Sequence, residues 1–172
     1  MATHDVAKIH ISPFWDDEYR HLDYEREAFN DRDSLAVWTT QGYLGPFTGV
    51  MCDMRRPQPS WNQRFIDYFS ARGWQDIGTS YYRMDTGTIL PVHSDLYKLY
   101  IKLFNLEGQE KSIYRAIVFL EDWSSGHYIE VNGEAITDWV AGDAVVWRYD
   151  IPHMAANIGL LPRYTLQITG HL

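Results

Sequence analysis

The stretch RYTLQIT, residues 163–169, alternates strictly between polar and apolar side chains. On an extended chain Tyr164, Leu166 and Ile168 leave from one face, while Arg163, Thr165, Gln167 and Thr169 leave from the other. Two orientations are open to such a strand. If the apolar face packs on a core, Arg163 is a surface residue. If the polar face lines the inside of a barrel, Arg163 and Thr165 point together into a cavity. The second orientation requires an anion, because a guanidinium taken out of water without a counter-charge is costly.

Working back from this strand, the chain from residue 80 onward is a series of short β-prone pieces separated by Gly, Pro, Asp and Asn. Strands are expected near 80–85, 88–95, 114–120, 127–131, 136–140, 143–149, 153–158 and 163–169. Eight antiparallel strands suit a jelly roll. The segment YKLYIKLFNLEGQEK (97–111) falls outside the eight and reads as an extra strand followed by a mobile loop. Before residue 80, helical signals dominate. DDEYRHLDYEREAF (16–29) is charged with spaced aromatics, and Ser60 with Gln63 forms a capping-box pattern ahead of Trp61, Phe65 and Phe69, with Gly73 as the stop. AKIHI (7–11) and SLAVWTT (34–40) read as two flanking strands. The expected organisation is therefore one domain spanning 1–172. Residues 1–79 would form a helical scaffold with two strands, and 80–170 a double-stranded β-helix, the jelly-roll or cupin-like barrel.

The chain has 172 residues with 7 Trp, 12 Tyr and 7 Phe, enough to bury a real core. Its net charge of −8 argues against a general grip on phosphate backbones, so nucleic acid is not the expected partner. The single cysteine, Cys52, allows no internal disulfide and no thiolate cluster. Neither a signal-peptide pattern at the start nor an apolar run longer than AIVFL (116–120) is present, so a soluble cytoplasmic protein without membrane contact is expected.

The chemistry centres on LPVHSDL (90–96). One residue separates His93 from Asp95, so on an extended strand both side chains leave from one face, close enough to chelate an ion. His153, in DIPHMAANIG (150–159), is a candidate third ligand at the mouth of a strand. Two imidazoles and one carboxylate form a facial triad that leaves adjacent positions open on Fe(II). Three adjacent open positions leave room for a bidentate ligand together with O₂.

Taken together, His93-x-Asp95, His153 and Arg163-x-Thr165 resemble the Fe(II)- and 2-oxoglutarate-dependent oxygenases, over roughly residues 80–170. The resemblance implies a jelly-roll core with Fe(II) on His93, Asp95 and His153. It also implies 2-oxoglutarate held by Arg163 and Thr165, and hydroxylation of a small molecule or a protein side chain with release of succinate and CO₂. YRMDTGTILPVHSD (82–95) looks like the prolyl-hydroxylase-like members, with Tyr82 and Gly87 ahead of the His-x-Asp pair. The later run from Gly126 to Gly159 is similar to the aspartyl/asparaginyl β-hydroxylases, which commonly lack the carboxylate ligand that Asp95 supplies here.

Tyr82, Tyr114 and Arg115 are candidates to reach the co-substrate from neighbouring strands. Asn157 either orients His153 or caps a turn. His127 and Trp123 sit in a stretch that could overlie the cavity, while His4, His10, His21 and His171 read as surface or satisfied histidines. The main alternative is a cupin-type metal-binding protein, an isomerase, dioxygenase or sugar-binding module that does not use 2-oxoglutarate. Gly87 and Asn157 suit it, but cupins place a second His where Asp95 stands and have no use for Arg163. A non-catalytic jelly roll with an accidental triad is the third reading.

Overall fold

The computed structural model describes residues 5–172, so His4 lies outside the described residues. Thirteen elements matter here. They are β1 (Val6–His10), α1 (Arg32–Thr40), β2 (Val50–Asp53), α2 (Asn62–Ser70), β3 (Gln75–Met84), β4 (Thr88–His93), α3 (Lys98–Phe104), β5 (Ile113–Phe119), β6 (His127–Val131), β7 (Glu134–Ile136), β8 (Asp143–Arg148), β9 (His153–Asn157) and β10 (Arg163–His171). Among the described residues the strands form a six-stranded sheet in the order β1-β8-β5-β10-β3-β2 and a four-stranded sheet in the order β4-β9-β6-β7. Every strand pair is antiparallel. This is the jelly-roll arrangement expected from the sequence.

The large sheet is buried on both faces, and alternation along β5 and β10 shows why. Ala116, Val118, Leu166 and Ile168 pack outward against Phe65 and Phe69 of α2 and against Ile11 and Tyr19 from the N-terminal segment. Phe119, Val145 and Trp147 face inward and meet Ile129, Val131, Ile136 and Trp139 from the small sheet and its connections. The N-terminal part thus covers the outer face of the sheet. It also extends it, because β1 pairs with β8 and β2 with β3.

Two turns place the site. Gly87, with φ +84°, closes the 85–87 turn that carries the chain from β3 in the large sheet to β4 in the small one. Asn132 and Gly133 both have positive φ, the signature of a tight hairpin, and join β6 to β7.

Several local expectations are corrected. SLAVWTT is helical, not a strand: Asp31 accepts hydrogen bonds from the Asp33 and Ser34 amides, and Thr39 and Thr40 donate their hydroxyl protons to carbonyls four residues back. Its β-branched residues suggested a strand, but the cap and the burial of Trp38 decide the matter. The 16–29 stretch forms only a 3₁₀ turn at Asp17–His21; beyond it Glu25 exchanges both backbone hydrogen bonds with Met51, which needs extended chain. The Ser60–Gln63 capping box does not form, since Trp61 is the N-cap and the Gln63 amide donates to Asp67. Residues 97–111 hold α3 and a 3₁₀ turn in place of the extra strand, with Tyr97 in the left-handed region bending the chain into the helix. The strand expected at 136–140 is shorter and earlier, at β7, because the hairpin turn falls at 132–133.

Candidate metal centre and anion pocket

His93 ends β4 and is the register partner of His153, which begins β9, so the two-strand ladder brings their rings to 4.3 Å centroid separation. Asp95 lies two residues past β4. Its carboxylate oxygens stand 3.7 Å from His93 Nε2 and 3.8 Å from His153 Nε2. One ligand atom from each of the three residues lies within 4.8 Å of the others. Ligand atoms bonded at about 2.1 Å to a shared ion sit roughly 3–3.5 Å apart, so the trio is close to that arrangement.

Hydrogen bonding fixes the tautomers. His93 Nδ1 donates to the Pro91 carbonyl at 2.9 Å, and His153 Nδ1 donates to the Ile151 carbonyl at 3.0 Å. A carbonyl can only accept, so Nδ1 carries a proton and Nε2 is the ring nitrogen turned toward Asp95. Burial lowers the pKa of His153 to about 4, which keeps it neutral near neutral pH. Burial alone would raise the pKa of Asp95, but Arg115 and the two histidines outweigh it and hold Asp95 well below its ordinary value. The cluster is thus two imidazoles, each with Nε2 turned toward one carboxylate, a donor set that suits a divalent first-row metal. Phe29 meets His93 edge-on at 5.3 Å and Trp147 packs on His153 at 4.9 Å, which fences the rings on their apolar sides.

The triad opens into a cavity of about 250 Å³ that also contains Tyr82, Arg115, Arg163, Thr165 and Gln167. The polar face of β10 therefore lines the inside of the barrel. Arg163 is 3% exposed and Thr165 1%. Arg163 donates to the Tyr128 carbonyl at 2.8 Å, to the Ala156 carbonyl at 3.3 Å and to the Met84 sulfur at 3.2 Å. Among the described residues its Nε has no partner and no carboxylate lies within ion-pair distance. Burial lowers its pKa to about 10, the mark of a cation held by neutral acceptors alone. A buried guanidinium in this condition costs several kcal/mol until an anion meets it.

The other expected residues divide. Tyr82 lines the cavity opposite Thr165 in the ladder, but its hydroxyl is engaged by Thr48 and by the Gly49 amide. Gly49 is required there, since a Cβ would stand 2.2 Å from the Arg83 carbonyl oxygen. Arg115 reaches the cavity and binds Asp95 at 2.9 Å. Tyr114 points to the outer face beside Trp74, the neighbour parity of β5 having turned it away from the site. Trp123 packs in the core between the sheets and donates to the His127 carbonyl, while His127 is buried against the Leu161 carbonyl, so neither lines the cavity. Asn157 caps a turn: it donates to the Met84 and Leu161 carbonyls and accepts from the Gly159 amide. His10 pairs with Asp143, and His171 meets Tyr100, in keeping with satisfied histidines.

Sequence reasoning missed the wall formed by Glu27, Ala28, Phe29 and Asn30, together with Thr48 and Met51. These belong to the region read as scaffold. The only hint was a charged stretch whose aromatics lack a clean helical spacing.

No family model matches the chain, and no curated protein matches it. Solved structures do. A prolyl-4-hydroxylase from Pseudomonas putida aligns with a TM-score of 0.63 at 16% identity, covering 99% of this chain and 94% of that one. A prolyl 4-hydroxylase from Phytophthora capsici aligns at 0.51 and 15% identity, covering 81% of this chain and 52% of that one. A cupin protein from Bacteroides fragilis aligns at 0.40 and 19% identity, covering 58% and 69% respectively. At these identities the first two show a shared fold.

Proposed function

We propose that the protein is an Fe(II)- and 2-oxoglutarate-dependent oxygenase that hydroxylates a small molecule or a protein side chain. The observation that carries this reading is the buried Arg163, with no carboxylate at ion-pair distance among the described residues, facing the same cavity as a His-Asp-His cluster whose Nε2 and carboxylate oxygen atoms converge. The donor set fits the metal. His93, Asp95 and His153 would hold Fe(II), and Arg163 with Thr165 would hold the far carboxylate of 2-oxoglutarate. The jelly-roll fold shared with two prolyl hydroxylases agrees with it. In this reading residues 80–170 form the catalytic core of one domain and residues 1–79 cover it.

The chemistry supplied by that pair when bound is oxidative decarboxylation of 2-oxoglutarate to succinate and CO₂, coupled to hydroxylation of a substrate C–H bond. The chain's own residues bind, orient and exclude water. Pro91 and Ile151 carbonyls hold the imidazoles in the metal-binding tautomer. Arg163 offers a forked donor where a dianion would end, which favours a dicarboxylate over a monocarboxylate. Phe29, Trp147 and Ile117 keep the cavity walls apolar around the polar groups. A cupin-type protein that does not use 2-oxoglutarate leaves Arg163 without a counter-charge, so the arginine favours the oxygenase.

The test is an anaerobic titration of metal-free protein with Fe(II) and then 2-oxoglutarate, following the visible charge-transfer band of a chelated 2-oxo acid. The band is expected in wild type and is expected to be lost in Asp95→Ala. Metal uptake with no band on adding 2-oxoglutarate would move the cupin-type reading ahead.

A further inference from the structure

Arg115 is expected from sequence to reach the co-substrate, but its hydrogen bonds point elsewhere. All three guanidinium nitrogens are engaged. One terminal nitrogen donates to Asp95 Oδ2 at 2.9 Å, the other donates to Gln167 Oε1 at 3.0 Å, and Nε donates to the Tyr97 hydroxyl at 3.2 Å. Arg115 and Gln167 stand on β5 and β10, adjacent strands of the large sheet, which makes a rigid base. Asp95 and Tyr97 stand on the irregular segment between β4 and α3, where no strand ladder fixes them. Tyr97, at φ +48°, is the last residue before the helix. The guanidinium therefore ties a free segment of the small-sheet side to the frame of the large sheet.

We propose that Arg115 is a positioning residue for Asp95, fixing the carboxylate between His93 and His153, and that Tyr97 and Gln167 aim Arg115 for this task. The proposal rests on the reading of His93, Asp95 and His153 as metal ligands. A carboxylate on an irregular segment loses rotamer freedom when it ligates an ion, and a preformed orientation removes that cost. A planar fork with three separate partners can impose such an orientation, whereas a lysine ammonium acts as a point charge. Charge alone works in the opposite direction, since a cation beside the site repels a metal ion and competes for its ligand. The sign of the effect thus separates orientation from charge.

The experiment is a titration of metal-free protein with Co(II), read both as affinity and as the shape of the visible ligand-field bands. Wild type is compared with Arg115→Gln, Arg115→Lys and Tyr97→Phe. Both Arg115 variants are expected to bind Co(II) about 10–100-fold more weakly, with altered bands, as for other residues that orient a metal ligand. Tyr97→Phe is expected to weaken binding about three-fold, since it deletes one hydrogen bond of the three. Arg115→Lys preserves the charge, so its failure to rescue marks orientation. Unchanged or tighter Co(II) binding with unchanged bands in the Arg115 variants overturns the proposal while leaving the oxygenase reading standing. Wild type that takes up no Co(II) overturns both. Should the Arg115 variants not fold, Tyr97→Phe decides: wild-type affinity and bands there overturn the proposal.

Discussion

Two arginines, Arg163 buried and Arg115 partly buried, line one cavity, and their surroundings differ. Arg115, at the metal end, has a carboxylate, an amide oxygen and a phenol around it. Arg163, on β10, has two backbone carbonyls and a thioether, with no carboxylate among the described residues. The first is complete within the chain and so has a structural explanation. The second has neutral partners only, so its burial is the more costly of the two. Composition could not separate them, because both are an Arg on a β-strand; only the partners do.

The comparison predicts opposite effects on stability. Arg115→Met strips Asp95 of its partner and is expected to destabilise metal-free protein by about 3 kcal/mol, the lower end for a broken buried pair because Asp95 retains partial exposure. Chemical denaturation checks this. Adding Asp95→Asn to that variant removes the stranded charge, so about 1 kcal/mol or more is expected to return, and a double-mutant cycle reads the coupling. Arg163→Met keeps the volume of the stem and deletes a charge with no counter-ion. It is expected to stabilise metal-free protein by about 1 kcal/mol, a rise of roughly 2–4 °C in melting temperature. A large loss of stability in Arg163→Met would show that its neutral partners suffice and would erase the contrast.

The smallest expected effect is a titration. Burial holds the pKa of His127 below 6.5, and the charge of Arg163 lowers it further. A histidine with a depressed folded pKa stays neutral in the fold while the unfolded chain takes up a proton. Stability is therefore complete above about pH 6.5 and falls as the solution becomes more acidic than that. In Arg163→Met the His127 pKa is expected to rise toward its ordinary value, whereas Arg115→Met leaves the His127 pKa unchanged. The imidazole proton shifts by NMR check this directly.

Legibility in the sequence followed periodicity. Strict alternation in residues 163–169 placed β10 correctly and posed the question of the inward arginine, which burial then answers. His93 and His153 come together because β4 and β9 are register partners, whereas Asp95, expected on the same strand face as His93, lies past the end of β4 on irregular chain. What stayed hidden depends on long-range contacts. The wall at 27–30 is irregular chain that follows the isolated bridge from Glu25 to Met51, a contact that no local pattern announces. SLAVWTT carries β-branched residues yet folds as α1, since the Asp31 cap and a buried Trp38 outweigh a weak propensity. Residues 98–104 read as a strand yet form α3, and the left-handed turn at Tyr97 that starts the helix is held by Arg115 from β5. The partner of Arg115 was equally beyond reach, because it depends on which residue of an irregular segment meets β5.

In the proposed function Arg163 receives the distal carboxylate of a 2-oxo diacid. The most direct measurement is calorimetric titration of Mn(II)-loaded protein, under anaerobic conditions, with 2-oxoglutarate and with 2-oxobutanoate, which lacks the second carboxylate. Wild type is expected to prefer 2-oxoglutarate by about 100-fold, the worth of a charge-assisted pair, and Arg163→Met is expected to abolish the preference. Equal affinity for the two acids in wild type, or an undiminished preference in Arg163→Met, would contradict it.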